Sequence, residues 1–190
     1  GDALSSIFGG SNFWWSIGFF AVGSSLIYIG LNTVKKIEVL LGLGILTVVL
    51  IMAFVTTPHI DLTNIQYTNF ADLLFPYGVL LFAFHGTTSI PEARKILNGD
   101  EKSFKHSIII SGLVSIIIYM LFAFVVVGVT GAGTTEIATI GLGNAIGKYM
   151  VILGNIFAVL AMGTSFLIIG LSLRDSLKWD YDLSNRAASL

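Results

Sequence analysis

Cysteine is absent from the 190 residues, and only 11% of them are Asp, Glu, Lys or Arg. The first absence excludes disulfides and thiolate metal sites. The second excludes an ordinary soluble domain, where about a quarter of residues carry charge. Charge of either sign is not in excess either: the net is −1, which gives nucleic acid no electrostatic reason to bind. No nucleotide-binding loop, metal-ligand cluster or nucleophile–base pattern is present, so neither an enzyme nor a cofactor is expected. A basic leader is missing too, and the chain starts at Gly1. It reads as a piece of a longer gene product. What is present is apolar: 55% of residues are hydrophobic and the mean hydropathy is +0.88. That composition predicts a polytopic membrane protein in the cell (plasma or inner) membrane, with lipid as its surroundings.

Five long apolar segments are each about the 20 residues that a spanning helix needs. They cover about 12–33, 37–57, 72–97, 105–130 and 149–177. Strands are disfavoured, since a membrane barrel shows alternating segments of about ten residues rather than continuous apolar runs. The expected fold class is all-α and polytopic, a single transmembrane region over 1–190. All the Lys and Arg residues except Lys148 fall around the connections between the first and second and between the third and fourth segments, or at and beyond the end of the fifth. That side is therefore expected to be cytoplasmic, with the N-terminus outside and the C-terminus inside. A short helix is expected over about 137–147, from Ile137, Ile140 and Ile146 with small residues between. It reads equally as an outer lid or as a connector.

The third segment is interrupted. Its apolar run stops at Phe84-His85-Gly86-Thr87-Thr88 and restarts at Pro91. Hydrocarbon offers backbone groups no water, so a break with glycine, hydroxyls and an imidazole is tolerated where it lines a cavity. In secondary transporters that cavity holds the substrate. Pro91 suits a first helical turn, Ser89 and Thr88 are N-cap candidates, and Glu92 falls where the dipole favours an anion. The amides of one half-helix and the carbonyls of the other suit a zwitterion, which is the logic of an amino-acid site. The alternative is a simple Gly/Pro kink. His85, the ionisable residue at depth, binds substrate, relays protons, or is a neutral ring bonded to freed carbonyls. On the fifth segment Ala161, Thr164 and Ser165 share a face with Gly154 and Ala158. Small residues at this spacing allow close helix packing. The same face also offers a carbonyl and two hydroxyls to a hard cation.

The stretch LLFAFHGTTSIPEARKIL resembles the sixth transmembrane helix of the amino acid/auxin permease family, within the amino acid–polyamine–organocation superfamily. LGNIFAVLAMGTSFLIIGLSLRDSLKWDY is similar to the eighth helix of that family, in its aromatic amino-acid permease branch. The resemblance covers nearly the whole chain as helices four to eight. It implies a LeuT-type inverted-repeat bundle with the third span here broken near 84–88. It implies substrate contact at Phe84, His85, Gly86, Thr87 and Thr88. It also implies that Ala161, Thr164 and Ser165 help hold a coupling sodium ion. Some relatives use a proton and a lysine on the fifth helix instead, and the second span here has no such lysine. The function expected is cation-coupled amino-acid transport by alternating access, with sodium or a proton as the coupling ion. The remaining helices of the longer permease would be partners. The rival is a membrane sensor of the same fold that binds an amino acid without moving it.

Overall fold

Charged and hydroxyl side chains sit at most of the turns in this chain, and apolar runs fill the helices between them. The computed structural model describes residues 1–66, 71, 74–87 and 89–181, and among these there is no strand. Eight α-helices follow in order: α1 (Asp2–Phe8), α2 (Asn12–Ile29), α3 (Leu31–Thr56), α4 (Tyr77–Ala83), α5 (Ile90–Ile96), α6 (Glu101–Thr130), α7 (Ala138–Ile146) and α8 (Lys148–Tyr181). Short 3-10 turns lie at Thr57–His59, Leu62–Ile65 and Gly131–Gly133. Among the described residues four helical stretches are long and apolar enough to cross a membrane: Asn12–Ile29, Leu31–His59, Glu101–Gly133 and Lys148–Tyr181. The expected third span contributes none by itself. Its two pieces have seven residues each, about 10 Å of helix apiece.

The chain forms two compact units, Gly1–Met52 with Gly147–Leu190, and Ala53–Ile146. In the first, α1 and α2 pack on α8. The core is Ile27, Val34, Leu167 and Leu171, with Leu26, Leu31, Ile37, Leu41 and Phe166 packed against it. Gly23 and Gly170 let the helices approach: a Cβ on Gly170 would lie 2.2 Å from Ile27 Cδ1, and one on Gly23 2.5 Å from Phe166 Cε1. In lipid, such van der Waals fit replaces the hydrophobic drive that packs helices in water. The α2–α3 boundary falls at Gly30, with φ 113°, a conformation that L side chains rarely adopt. Lys35 and Lys36, expected in a loop after residue 33, are therefore in the first turns of α3. Arg174 donates from Nη1 to the Ile27 carbonyl at 2.8 Å. It thereby places a positive charge on the carbonyl end of α2, where the helix dipole favours it.

In the second unit α6 is the spine. The Asp100 carboxylate caps its start, accepting from Ser103 N–H at 3.1 Å and Ser103 Oγ at 2.6 Å. These bonds hold the Asp100 carboxyl below its usual range. The turn from α5 uses Asn98 (φ 52°) and Gly99 (φ 83°), and Arg94 pairs with Glu101 across it. At the other end the Gly128 carbonyl accepts from Asp61 N–H at 2.9 Å and from Asn64 Nδ2 at 3.0 Å. Asp61 itself accepts from Thr63 N–H and Oγ1, so its carboxyl is also held low. α7 packs on α6, with Gly141 and Leu142 buried.

Candidate functional site

The helical run of the third apolar segment ends at Ala83 because no regular donor follows Phe84. Phe84 N–H closes the last turn on Leu80 O at 3.0 Å. The next bonds are the tighter i→i−3 type: His85 N–H to Phe82 O at 3.0 Å, and Ser89 N–H to Gly86 O at 3.1 Å. Regular i→i−4 bonding resumes with Ala93 N–H on Ser89 O at 2.9 Å. Residues 84–87 and Ser89 thus lie outside both helices, and their polar groups need other partners. One is Tyr119 of α6, whose hydroxyl donates to the Ala83 carbonyl at 3.2 Å. Its ring meets Phe84 edge-on, centroids 5.2 Å apart. A side chain 36 residues away therefore holds the break's first turn.

Inside the break the His85 ring, through Nε2, is hydrogen-bonded to Thr87 Oγ1 at 2.8 Å. The imidazole partner is thus a hydroxyl two residues on rather than a freed carbonyl. Phe84, His85, Gly86 and Thr87 are all exposed. Thr88, the remaining residue expected here, lies outside the described residues. A Cβ built on Gly86 meets only Ser89 Oγ, at 3.6 Å, so the backbone there faces open space. Ser89 does occupy the N-cap position of α5, but its backbone is helical (φ −86°, ψ −18°) and it makes no side-chain cap bond. Its hydroxyl donates to Gly86 O at 2.8 Å instead. That corrects the expected cap and has a physical reason. Ser89 closes the loop behind it, and Pro91 at the helix start removes one of the amides a cap would serve. Glu92 is 3% exposed; Oε1 accepts from Lys95 Nζ at 3.1 Å, and Oε2 is buried without a hydrogen bond.

The other three expected residues lie on α8, in the first unit. Thr164 Oγ1 donates to the Ala161 carbonyl at 2.9 Å, so two of the three oxygens engage each other. This is the back-bond threonine commonly makes within a helix. The hydroxyl's acceptor lone pairs stay available to a cation. Ala161 and Ser165, but not Thr164, line a cavity of about 810 Å³ between α2 and α8. Its walls include Phe19, Phe20 and Phe166, with Ser24 and Arg174 as further polar groups. Phe166 meets both Phe19 and Phe20 edge-on, at 5.9 and 5.8 Å. Sequence reasoning does not find this aromatic wall, because Phe residues in an apolar run carry no directional signal. Among the described residues no three His, Asp or Glu side chains gather into a metal-binding group.

Sequence reasoning also passes over Glu38. It falls within the expected second span, 37–57, and composition alone assigns it no role. The structure puts it inside α3, between Val34 and Leu41, with Oε1 buried and unpartnered.

Compared with known proteins, residues 3–189 match the model of the tryptophan/tyrosine permease family. A relative, the tyrosine-specific transport system 1 of Haemophilus influenzae, is 28% identical over 193 aligned residues. The alignment covers 90% of this chain and 47% of that protein, so the chain spans about half the length of the relative it matches. No solved structure matches.

Proposed function

Since the chain belongs to the tryptophan/tyrosine permease family and is a multi-pass membrane protein, we propose that it forms the central part of a cation-coupled permease for an aromatic amino acid, working by alternating access. The family description and the relative's tyrosine-specific transport support the substrate class. The observation that carries the reading is the break itself: two seven-residue helices flank a non-helical stretch whose glycine backbone is open to a ligand. In this reading α4, the break and α5 together make the third of five crossings in this part of a LeuT-type bundle. Phe84, His85, Gly86, Thr87 and Thr88 meet the substrate, the backbone serving its ammonium and carboxylate groups and Phe84 its ring. Ala161 O, Thr164 Oγ1 and Ser165 Oγ supply oxygens to a small coupling cation, completed by groups beyond this chain.

Uptake of labelled tyrosine and tryptophan by cells making the full-length protein tests it. Accumulation against a gradient is expected, and Gly86→Val should abolish it. The open space at Gly86 means the valine disturbs no packed neighbour, so protein yield should hold. Normal uptake by the folded variant would remove the break as the site. Binding of the amino acid with no flux by the parent would favour the sensor.

A further inference from the structure

We propose that Glu38 is a proton-binding site within the α3–α8 packing of the first unit, its carboxyl holding a proton while the helices are packed. Glu38 lies in a helix long and apolar enough to span a membrane. Val34 and Leu41, one turn away on the same face, both belong to the core around Leu167 and Leu171. A Cβ on Gly163 of α8 would lie 3.5 Å from Leu41 Cδ1, which brings the same α3 face against α8 one turn further on. Glu38 is therefore carried on a helix face that packs, not on one that is solvated. Its Oε1 is buried and makes no hydrogen bond. A buried carboxylate needs a paired charge or a full set of donors.

Among the described residues neither is supplied by the elements around it. On α3 itself the cations are Lys35 and Lys36, and no ion pair or hydrogen bond joins either to Glu38. On α8 the stretch from Leu160 to Leu171 carries no charge. The next charged residues, Arg174 and Asp175, pair with each other, and Arg174 also holds Ile27 O. On α2 the titratable residue is Tyr28. A proton on the carboxyl would neutralise it without further room in this packing. The residue is half-buried rather than sealed, so the proton can exchange without unfolding the helix pair. Any movement that parts α3 from α8 would hydrate the carboxyl and release the proton. A helix rearrangement is thereby tied to proton uptake and loss.

The protonation itself stands apart from the transport reading; only its use in a transport cycle rests on it. The first measurement is an infrared pH titration of the purified full-length protein in lipid, comparing the parent with Glu38→Gln. A carboxylic-acid C=O band that titrates in the parent and is lost in the variant is expected. Its absence from the parent, or its survival in the variant, overturns the proposal. The second is the pH profile of amino-acid uptake. The parent should depend on pH, and Glu38→Gln, which cannot ionise, should give a flat profile. A variant that keeps the parent's profile overturns the link between Glu38 and transport. A parent with the infrared band but no uptake at any pH would leave the proton site standing and sink the permease reading instead.

Discussion

Thr164 shows how one hydroxyl can serve two purposes. Its proton is committed to Ala161 O at 2.9 Å, so as a donor it is already used. As an acceptor it is free, and a cation needs acceptors only. Thr164→Val keeps the shape and removes the oxygen. If the three oxygens hold the coupling cation, the sodium concentration for half-maximal uptake should rise roughly fivefold, equivalent to about 1 kcal/mol for one lost contact. Linkage then requires saturating sodium to restore part of the substrate affinity. Kinetics of uptake against sodium, in the full-length protein, would read both effects. A variant that only lowers yield while its sodium dependence is unchanged would reduce Thr164 to a packing residue.

At the scale of elements, glycine sets how closely α2 and α8 approach. Gly170 has Ile27 against it, and Ile27 is a core residue 7% exposed with little freedom to move. Gly18 on α2 has nothing within 4 Å of where a Cβ would be. The same substitution should therefore have opposite signs at the two sites. Gly170→Ala overpacks the interface at a cost of about 1–3 kcal/mol. Gly18→Ala gains helix propensity, up to about 1 kcal/mol. Thermal unfolding of the two variants in detergent separates them; equal transition temperatures would mean that α2 and α8 do not pack through Gly170. The short helices obey a different rule. Seven residues cannot sustain a helix in isolation. α4 is held partly by Tyr119 reaching its terminal carbonyl from α6, and α5 by the Arg94–Glu101 pair across the turn.

For the whole molecule the charge distribution predicts sidedness. Lys and Arg cluster near residues 35–36, 94–105 and 174–186, and Lys148 stands alone between. The chain has no native cysteine, so single-cysteine variants report one site each. Gln66 and Asn98 are both exposed in turns of the second unit. Gln66→Cys should react with an impermeant thiol reagent added outside intact cells, and Asn98→Cys only after the membrane is opened. The reverse pattern would invert the topology.

The sequence by itself determined the class of protein, the apolar helical segments and the interruption at Phe84–Gly86. Each depends on local chemistry: hydrocarbon demands paired backbone groups, and a glycine–hydroxyl cluster before proline does not supply them. Helix ends were legible only approximately. Residues 30 to 38 mix polar and apolar side chains, and the turn at Gly30 is stabilised by Arg174, which lies far along the chain. Tertiary structure alone decided that Tyr119 supports the break and that Phe19, Phe20 and Phe166 wall one cavity. It also decided that Glu38, half-buried, lies on the face of α3 that carries Val34 and Leu41, with Oε1 buried. The physical reason is common to all three. A residue's type states which partners it can accept, but only the packing of distant helices determines which partner is within reach.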